Sequence, residues 1–131
     1  MQFFVPMRLP TVTSQSKITP KGTNRPIDTP ALRDARDTYC AHFSQYLSEL
    51  GGMGALEGPL MLEMRFIYKV RGRHKDGEPY TNKPDWDNAA KLAQDCLMRV
   101  GFFRDDTQVV EGHVYQAWGD TPGIFVRLEE I

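Results

Sequence analysis

The chain has 131 residues, 40% hydrophobic and 25% charged, with a net charge of −1, values that fit one globular domain with its own core and exclude a chain disordered throughout. No apolar run approaches the ~20 residues of a membrane helix, and the opening MQFFVPMRLP lacks the basic start and long apolar stretch of a signal peptide. The two cysteines, Cys40 and Cys96, belong to no C-x-x-C pair; they read as buried thiols of a cytosolic protein, not as a disulfide framework or a zinc site.

In chain order, Gln2 to Leu9 is apolar enough for a first strand, with Pro6 marking an edge or a break. Pro10 to Pro26 is a long polar loop made basic by Lys17, Lys21 and Arg25. Thr29 followed by Pro30 supplies a hydroxyl cap and a first-turn proline. Leu32, Ala35, Tyr39, Phe43, Tyr46, Leu47 and Leu50 then recur at three- and four-residue steps, predicting a helix from Pro30 to Leu50 ended by Gly51 and Gly52. From Leu60 to Val70 apolar residues alternate as in a strand, and Arg71 to Asn82 is a polar loop. A second helix is predicted over Asp87 to Val100, with the stripe Ala89, Leu92, Ala93, Cys96, Leu97 and Val100 and a closing Gly101. Gln108 to Trp118 and Ile124 to Leu128 read as strands, joined as a hairpin by GDTPG. The expected fold is α+β: a single two-layer domain over residues 1–131, with two main helices on a mixed four-stranded sheet.

Charge is unevenly spread. Arg65 to Lys83 carries +4, whereas Pro84 to Glu111 carries −3. The acidic stretch holds two pairs, Asp85 with Asp87 and Asp105 with Asp106, on either side of the second helix. In an extended segment Asp85 and Asp87 project to one side; equally, Asp87 reads as a helix cap and Asp85 as a solvated loop acid. If the pairs converge, a divalent cation is the natural reason, because carboxylates suit hard cations such as Mg²⁺ or Mn²⁺. Such ions activate water and offset charge on a phosphodiester under attack. Convergence requires the following strand to run back beside Asp85. Lys91, four residues after Asp87, shares its helix face and is placed to steady a phosphate oxygen, or else to pair with Asp87 or Asp95.

Other site classes fail. An EF-hand loop from Asp85 needs glycine where Ala90 stands and glutamate where Cys96 stands. No acid-x-Lys completes a nuclease motif begun by Pro84-Asp85, and His42, His74 and His113 are too scattered for zinc or serine hydrolysis. Candidate phosphate contacts are Lys17, Lys21, Arg25, Arg71, Arg73 and Lys75. Phe102 and Phe103 suit core packing better than base stacking.

The ordered set KPDWDNAAKLAQDCL, then VGFFRDDTQVVEGHV, resembles the RusA family of Holliday-junction resolvases, small metal-dependent endonucleases of bacteria and their prophages. The resemblance implies that Asp85, Asp87 and Asp106 are the essential metal-binding acids, that Lys91 is the catalytic lysine, and that Asp105 adjoins the site as a further ligand candidate. It implies Mg²⁺ or Mn²⁺ as cofactor with no small-molecule cofactor, a homodimer as the acting form, four-way DNA as partner, and a bacterial or phage-encoded cytoplasmic protein. Two alternatives stand beside it: a junction-binding module without activity, and a nuclease for other branched nucleic acids.

Overall fold

The computed structural model describes residues 1–12, 17–52 and 54–131. Its elements are β1 (Gln2–Pro6), β2 (Lys17–Ile18), β3 (Ile27–Asp28), α1 (Pro30–Ser44), β4 (Leu60–Lys69), α2 (Trp86–Val100), β5 (Val109–Gly119) and β6 (Gly123–Glu130), with 3-10 turns at Leu47–Leu50 and Asp106–Gln108. The mixed four-stranded sheet has the order β1-β6-β4-β5; β4 runs parallel to β5 and antiparallel to β6. With its two helices this is the α+β architecture expected. Residues 13–16 of the predicted basic loop lie outside the described residues, as does Met53. No described helix is long and apolar enough to cross a membrane.

The core lies on one face of the sheet. Register places Leu62, Met64 and Phe66 of β4 beside Leu128, Val126 and Ile124 of β6, and Phe3 and Val5 of β1 beside Val126 and Ile124. All are buried against Leu32, Tyr39 and Phe43 of α1 and Leu92, Ala93, Cys96 and Leu97 of α2. Phe102 and Phe103 are fully buried and act as core residues, as expected. On the opposite face Glu63 pairs with Arg65 and Arg127, and Arg127 with Glu129. A hollow of about 730 Å³ on that face is lined by these pairs and by Glu111 with His113.

Several boundaries shift for identifiable reasons. The predicted first helix stops at Ser44; the chain then tightens into the Leu47–Leu50 turn, and Tyr46 stacks on Phe3 at 4.5 Å with its hydroxyl donating to the Phe4 carbonyl. Thr29 caps α1 by accepting from Leu32 N, as its hydroxyl predicts. The first strand ends at Pro6, and Met7 and Leu9 continue into the core without a ladder. Cys96 is buried, and burial pushes its thiol well above the ordinary range; Cys40 is only half-buried, a departure from the expectation of two buried thiols.

The largest correction concerns GDTPG. The chain bends there, but β5 and β6 do not pair, because β4 lies between them. Asp120 to Pro122 pass over the end of β4, a span of two inter-strand spacings, roughly 10 Å, which the short connection bridges when extended. Lys69 Nζ donates to Asp120 O at 2.8 Å, and Val70 N donates to Gly119 O at 3.0 Å. The crossing is so close that a Cβ on Gly119 would meet Ile67 Cγ2 at 2.3 Å.

The Arg71–Asn82 loop is ordered along part of the free edge of β5. Gly77 N donates to Trp118 O, Trp118 N to Glu78 O and Tyr80 N to Gln116 O. His74 stacks on Trp118 at 4.1 Å, and Tyr80 on Tyr68 at 3.8 Å.

Candidate active-site cleft

Between α2 and β5 runs a cleft of about 520 Å³, lined by Trp86, Asp87, Lys91, Gln94 and Asp95 of α2 and by Asp106, Val109, Gly112 and Val114 beneath it. The helix explains the first set. Asp87 and Lys91 lie one turn apart and share a face, opposite the buried stripe of Ala89, Ala93, Cys96 and Leu97. Gly112, without a side chain, sits on the helix-side face of β5 and keeps the floor open.

The helix cap is Asp85, not Asp87. Asp85 has extended geometry (φ −70°, ψ 160°), and α2 begins at Trp86. Its Oδ1 accepts from Asn88 Nδ2 at 2.6 Å. Asp87 therefore lies in the first turn, where a carboxylate also complements the helix dipole. Among the described residues neither Asp87 nor Lys91 enters an ion pair: Asp95, the other possible partner of Lys91, is taken by Arg99 at 2.7 Å and approached by Arg36 at 3.8 Å.

At the other end of the cleft the Asp106 turn is built by side chains. Asp105 Oδ1 accepts from Thr107 N and Thr107 Oγ1, both at 2.9 Å, and these bonds hold its carboxyl below the usual range. Gln108 closes the turn: its Oε1 accepts from Arg104 N and Asp105 N at 2.8 Å, and its Nε2 donates to the Leu56 and Gly58 carbonyls at 3.0 Å. Gln108 is a functional residue that the acid pairs alone do not reveal; its signal is the spacing of a capping box in Asp105-Asp106-Thr107-Gln108, which the structure forms.

A third group also went unassigned. Asp28, at the end of β3, accepts from Arg36 Nη1 at 2.7 Å and lies 3.9 Å from Lys17. The Arg36 hydrogen bond holds the Asp28 carboxyl below its ordinary value. With Asp95 and Arg99 this forms a chain of alternating charges from the basic loop across α1 to α2, and Lys17, Arg36 and Arg99 line the cleft beside Lys91. No sequence motif announces it, because its members come from three separate elements. Among the described residues Arg36 Nε is buried without a hydrogen-bond partner. Of the other predicted phosphate contacts, Arg71 lies over the Trp118 ring at 5.8 Å, and Lys21, Arg25, Arg73 and Lys75 are exposed.

One chain stretches the acids along the cleft instead of gathering them. β5 does run back beside α2, but it brings Gln116, not Asp106, to the Asp85 end: Gln116 Nε2 donates to Pro84 O at 3.1 Å. Asp106 precedes Val109, seven residues earlier, roughly 23 Å away along the strand at ~3.3 Å per residue. Oxygens sharing one Mg²⁺ or Ca²⁺ each lie about 2.0–2.6 Å from the ion. Asp106 of the same chain does not fit a shared site with Asp85 and Asp87, and among the described residues no three His, Cys, Asp or Glu side chains are grouped to hold a metal.

A family model described as endodeoxyribonuclease RusA matches residues 8–129, spanning the sheet, both helices and the whole cleft. The chain belongs to the RusA endodeoxyribonuclease family. It is also 33% identical over 52 residues to a protein of Lactococcus phage r1t named crossover junction endodeoxyribonuclease rusA; the match covers 40% of this chain and about two-fifths of the length of that relative. RusA membership, reached independently of the cleft, falls on the chain whose Asp87, Lys91 and Asp106 the fold turns toward one groove.

Proposed function

We propose that the protein is a divalent-metal-dependent endodeoxyribonuclease that resolves four-way DNA junctions as a homodimer, using Asp85, Asp87, Asp106 and Lys91. One observation carries this reading: in a chain of the RusA family, Asp87, Lys91 and Asp106 line one cleft together with Lys17, Arg36 and Arg99. The cations suit a phosphate backbone, and carboxylates with no cationic partner among the described residues suit a hard metal ion.

The separation of the acids along α2 supports a specific form of dimer. A two-fold axis laying the α2 N-terminus of one protomer against the Asp106 turn of the other would bring Asp85 and Asp87 to Asp106 of the partner subunit. Two such sites arise from one isologous contact, a number that suits two strand cuts. When bound, Mg²⁺ would supply activated water and charge stabilisation at the scissile phosphate. Lys91, one turn from Asp87 on the same face, would hold a non-bridging oxygen or the leaving group. Lys17, Arg36 and Arg99 would carry the flanking phosphates.

The test is incubation of the protein with a labelled four-way junction in Mg²⁺, beside flap, linear, single-stranded and RNA substrates. The proposal expects paired cuts near the crossover that disappear in Asp85→Asn, Asp87→Asn and Asp106→Asn, while gel shifts persist. A shift without cleavage by the wild-type protein would leave a binding module; cleavage of other substrates in preference to junctions would reassign the substrate. Undiminished cleavage by the Asn variants would remove these acids from the chemistry.

A further inference from the structure

Trp86 is the first residue of α2, and its indole is 61% exposed. Trp and other large aromatics are highly buried on average, and the other tryptophan here, Trp118, is 2% exposed beneath His74. Trp86 is not one of the buried residues of the core, and among the described residues no ring or cation stacks on it. The position asks only for a residue that starts a helix, which a small polar side chain does as well.

Its location is more informative. Trp86 stands between Asp85 and Asp87 and lines the same cleft as Lys91 and Asp106. Groups that act on a phosphodiester must sit beside the sugar–phosphate chain, so an indole next to them faces the attached bases. In an intact duplex those bases are already stacked and offer no free face. At a branch point stacking is interrupted, and an aromatic platform recovers the lost contact. The proposed dimer brings the partner's Asp106 to the carboxylates of Asp85 and Asp87; the indole between them is taken to stay on the cleft side of that contact, among Asp87, Lys91, Asp95 and Arg99, open to DNA.

We propose that Trp86 is a base-stacking platform that selects unstacked nucleotides at the branch over continuous duplex. It is a specificity-determining residue, and the proposal rests on the junction-nuclease reading above. It orients the strand to be cut by holding a base beside the cleft, while Asp85, Asp87 and Lys91 address the phosphate.

The two tryptophans make the test direct, because Trp118 is shielded and Trp86 dominates the environment-sensitive emission. Full-length protein in EDTA is titrated with a four-way junction carrying 2-aminopurine at the branch, and with a linear duplex carrying it internally, with parallel gel shifts. The expected result is quenching of both fluorophores by the junction and little change with the duplex. Trp86→Ala should weaken junction binding by about 5- to 140-fold, equivalent to ~1–3 kcal/mol at ~1.4 kcal/mol per tenfold. Duplex binding and melting temperature should stay unchanged, and Trp86→Phe should restore the preference. The proposal is overturned if the junction shifts in gels without quenching, or if Trp86→Ala keeps its junction preference. Blue emission that reddens on dilution without DNA would also overturn it, since a partner chain would then cover the indole. Absence of any gel shift is a different failure: it removes the DNA-binding reading itself and this inference with it.

Discussion

Gln108→Ala isolates the contribution of the turn that presents Asp106. The side chain makes four hydrogen bonds, two accepted from Arg104 N and Asp105 N and two donated to the Leu56 and Gly58 carbonyls. At roughly 0.5–1.5 kcal/mol each the full set would be worth about 2–6 kcal/mol. Arg104 and Asp105 are exposed, so water replaces part of their loss, and about 2–4 kcal/mol is expected. For a chain of this size that lowers the melting temperature by roughly 6–15 °C. Circular dichroism melts and urea titration measure the stability term. Junction cleavage assayed well below the lowered melting point measures the functional one, which should fall because Asp106 loses its frame. Gln108→Glu should also destabilise, since it keeps the oxygen that accepts from both backbone N–H groups but sets a carboxylate oxygen against two carbonyls. A melt within about 2 °C of wild type with unchanged cleavage would show that backbone bonds alone hold the turn, and would refute the reasoning.

Phe102→Ala, at a fully buried ring stacked on Phe3, should cost about 3–5 kcal/mol by urea titration without loss of junction binding in the fraction that remains folded. Asp28 and Asp105 have folded-state pKa values below their ordinary ones, so each stabilises the fold above the unfolded carboxylate pKa of roughly 3.9, and that contribution is lost as pH falls through the folded value. The stability gap between wild type and Asp28→Asn, measured by denaturation from pH 6 downward, should therefore narrow as the solution becomes acid; a gap that widens would contradict the sign. A thiol reagent at neutral pH should label half-buried Cys40 ahead of Cys96, whose thiol burial holds protonated and covered; labelling at equal rates would show that the core opens readily.

How far the sequence speaks depends on the range of the interaction. Local chemistry was legible: Thr29 with Pro30 marks the start of α1, the 3.6-residue stripe marks α2, and alternation marks β4. The edge character of β1 followed from Pro6. What failed was decided by contacts between elements. GDTPG has the residues of a hairpin turn, yet the apolar strand β4 takes the central place and separates β5 from β6. Asp87 looked like a cap because acids cap helices, but the buried Pro84, held through its carbonyl by Gln116, sets the helix start one residue earlier, at Trp86. The salt-bridge chain from Lys17 through Asp28, Arg36 and Asp95 to Arg99 joins residues up to 82 positions apart and leaves no local pattern. The candidate acids were legible as a set. Their spacing in space was not, because α2 runs about 22 Å at ~1.5 Å per residue and keeps its two ends apart.

That separation makes the shared-site dimer the central claim, and subunit mixing tests it most directly. Asp87→Asn and Asp106→Asn homodimers should each be inactive on a four-way junction in Mg²⁺. A heterodimer of the two, purified through distinct tags, should regain cleavage at one of its two sites and nick one strand, since one site then receives Asp87 from one protomer and Asp106 from the other. A heterodimer as inactive as its parents would show that each chain must supply every acid to its own centre, contradicting the account.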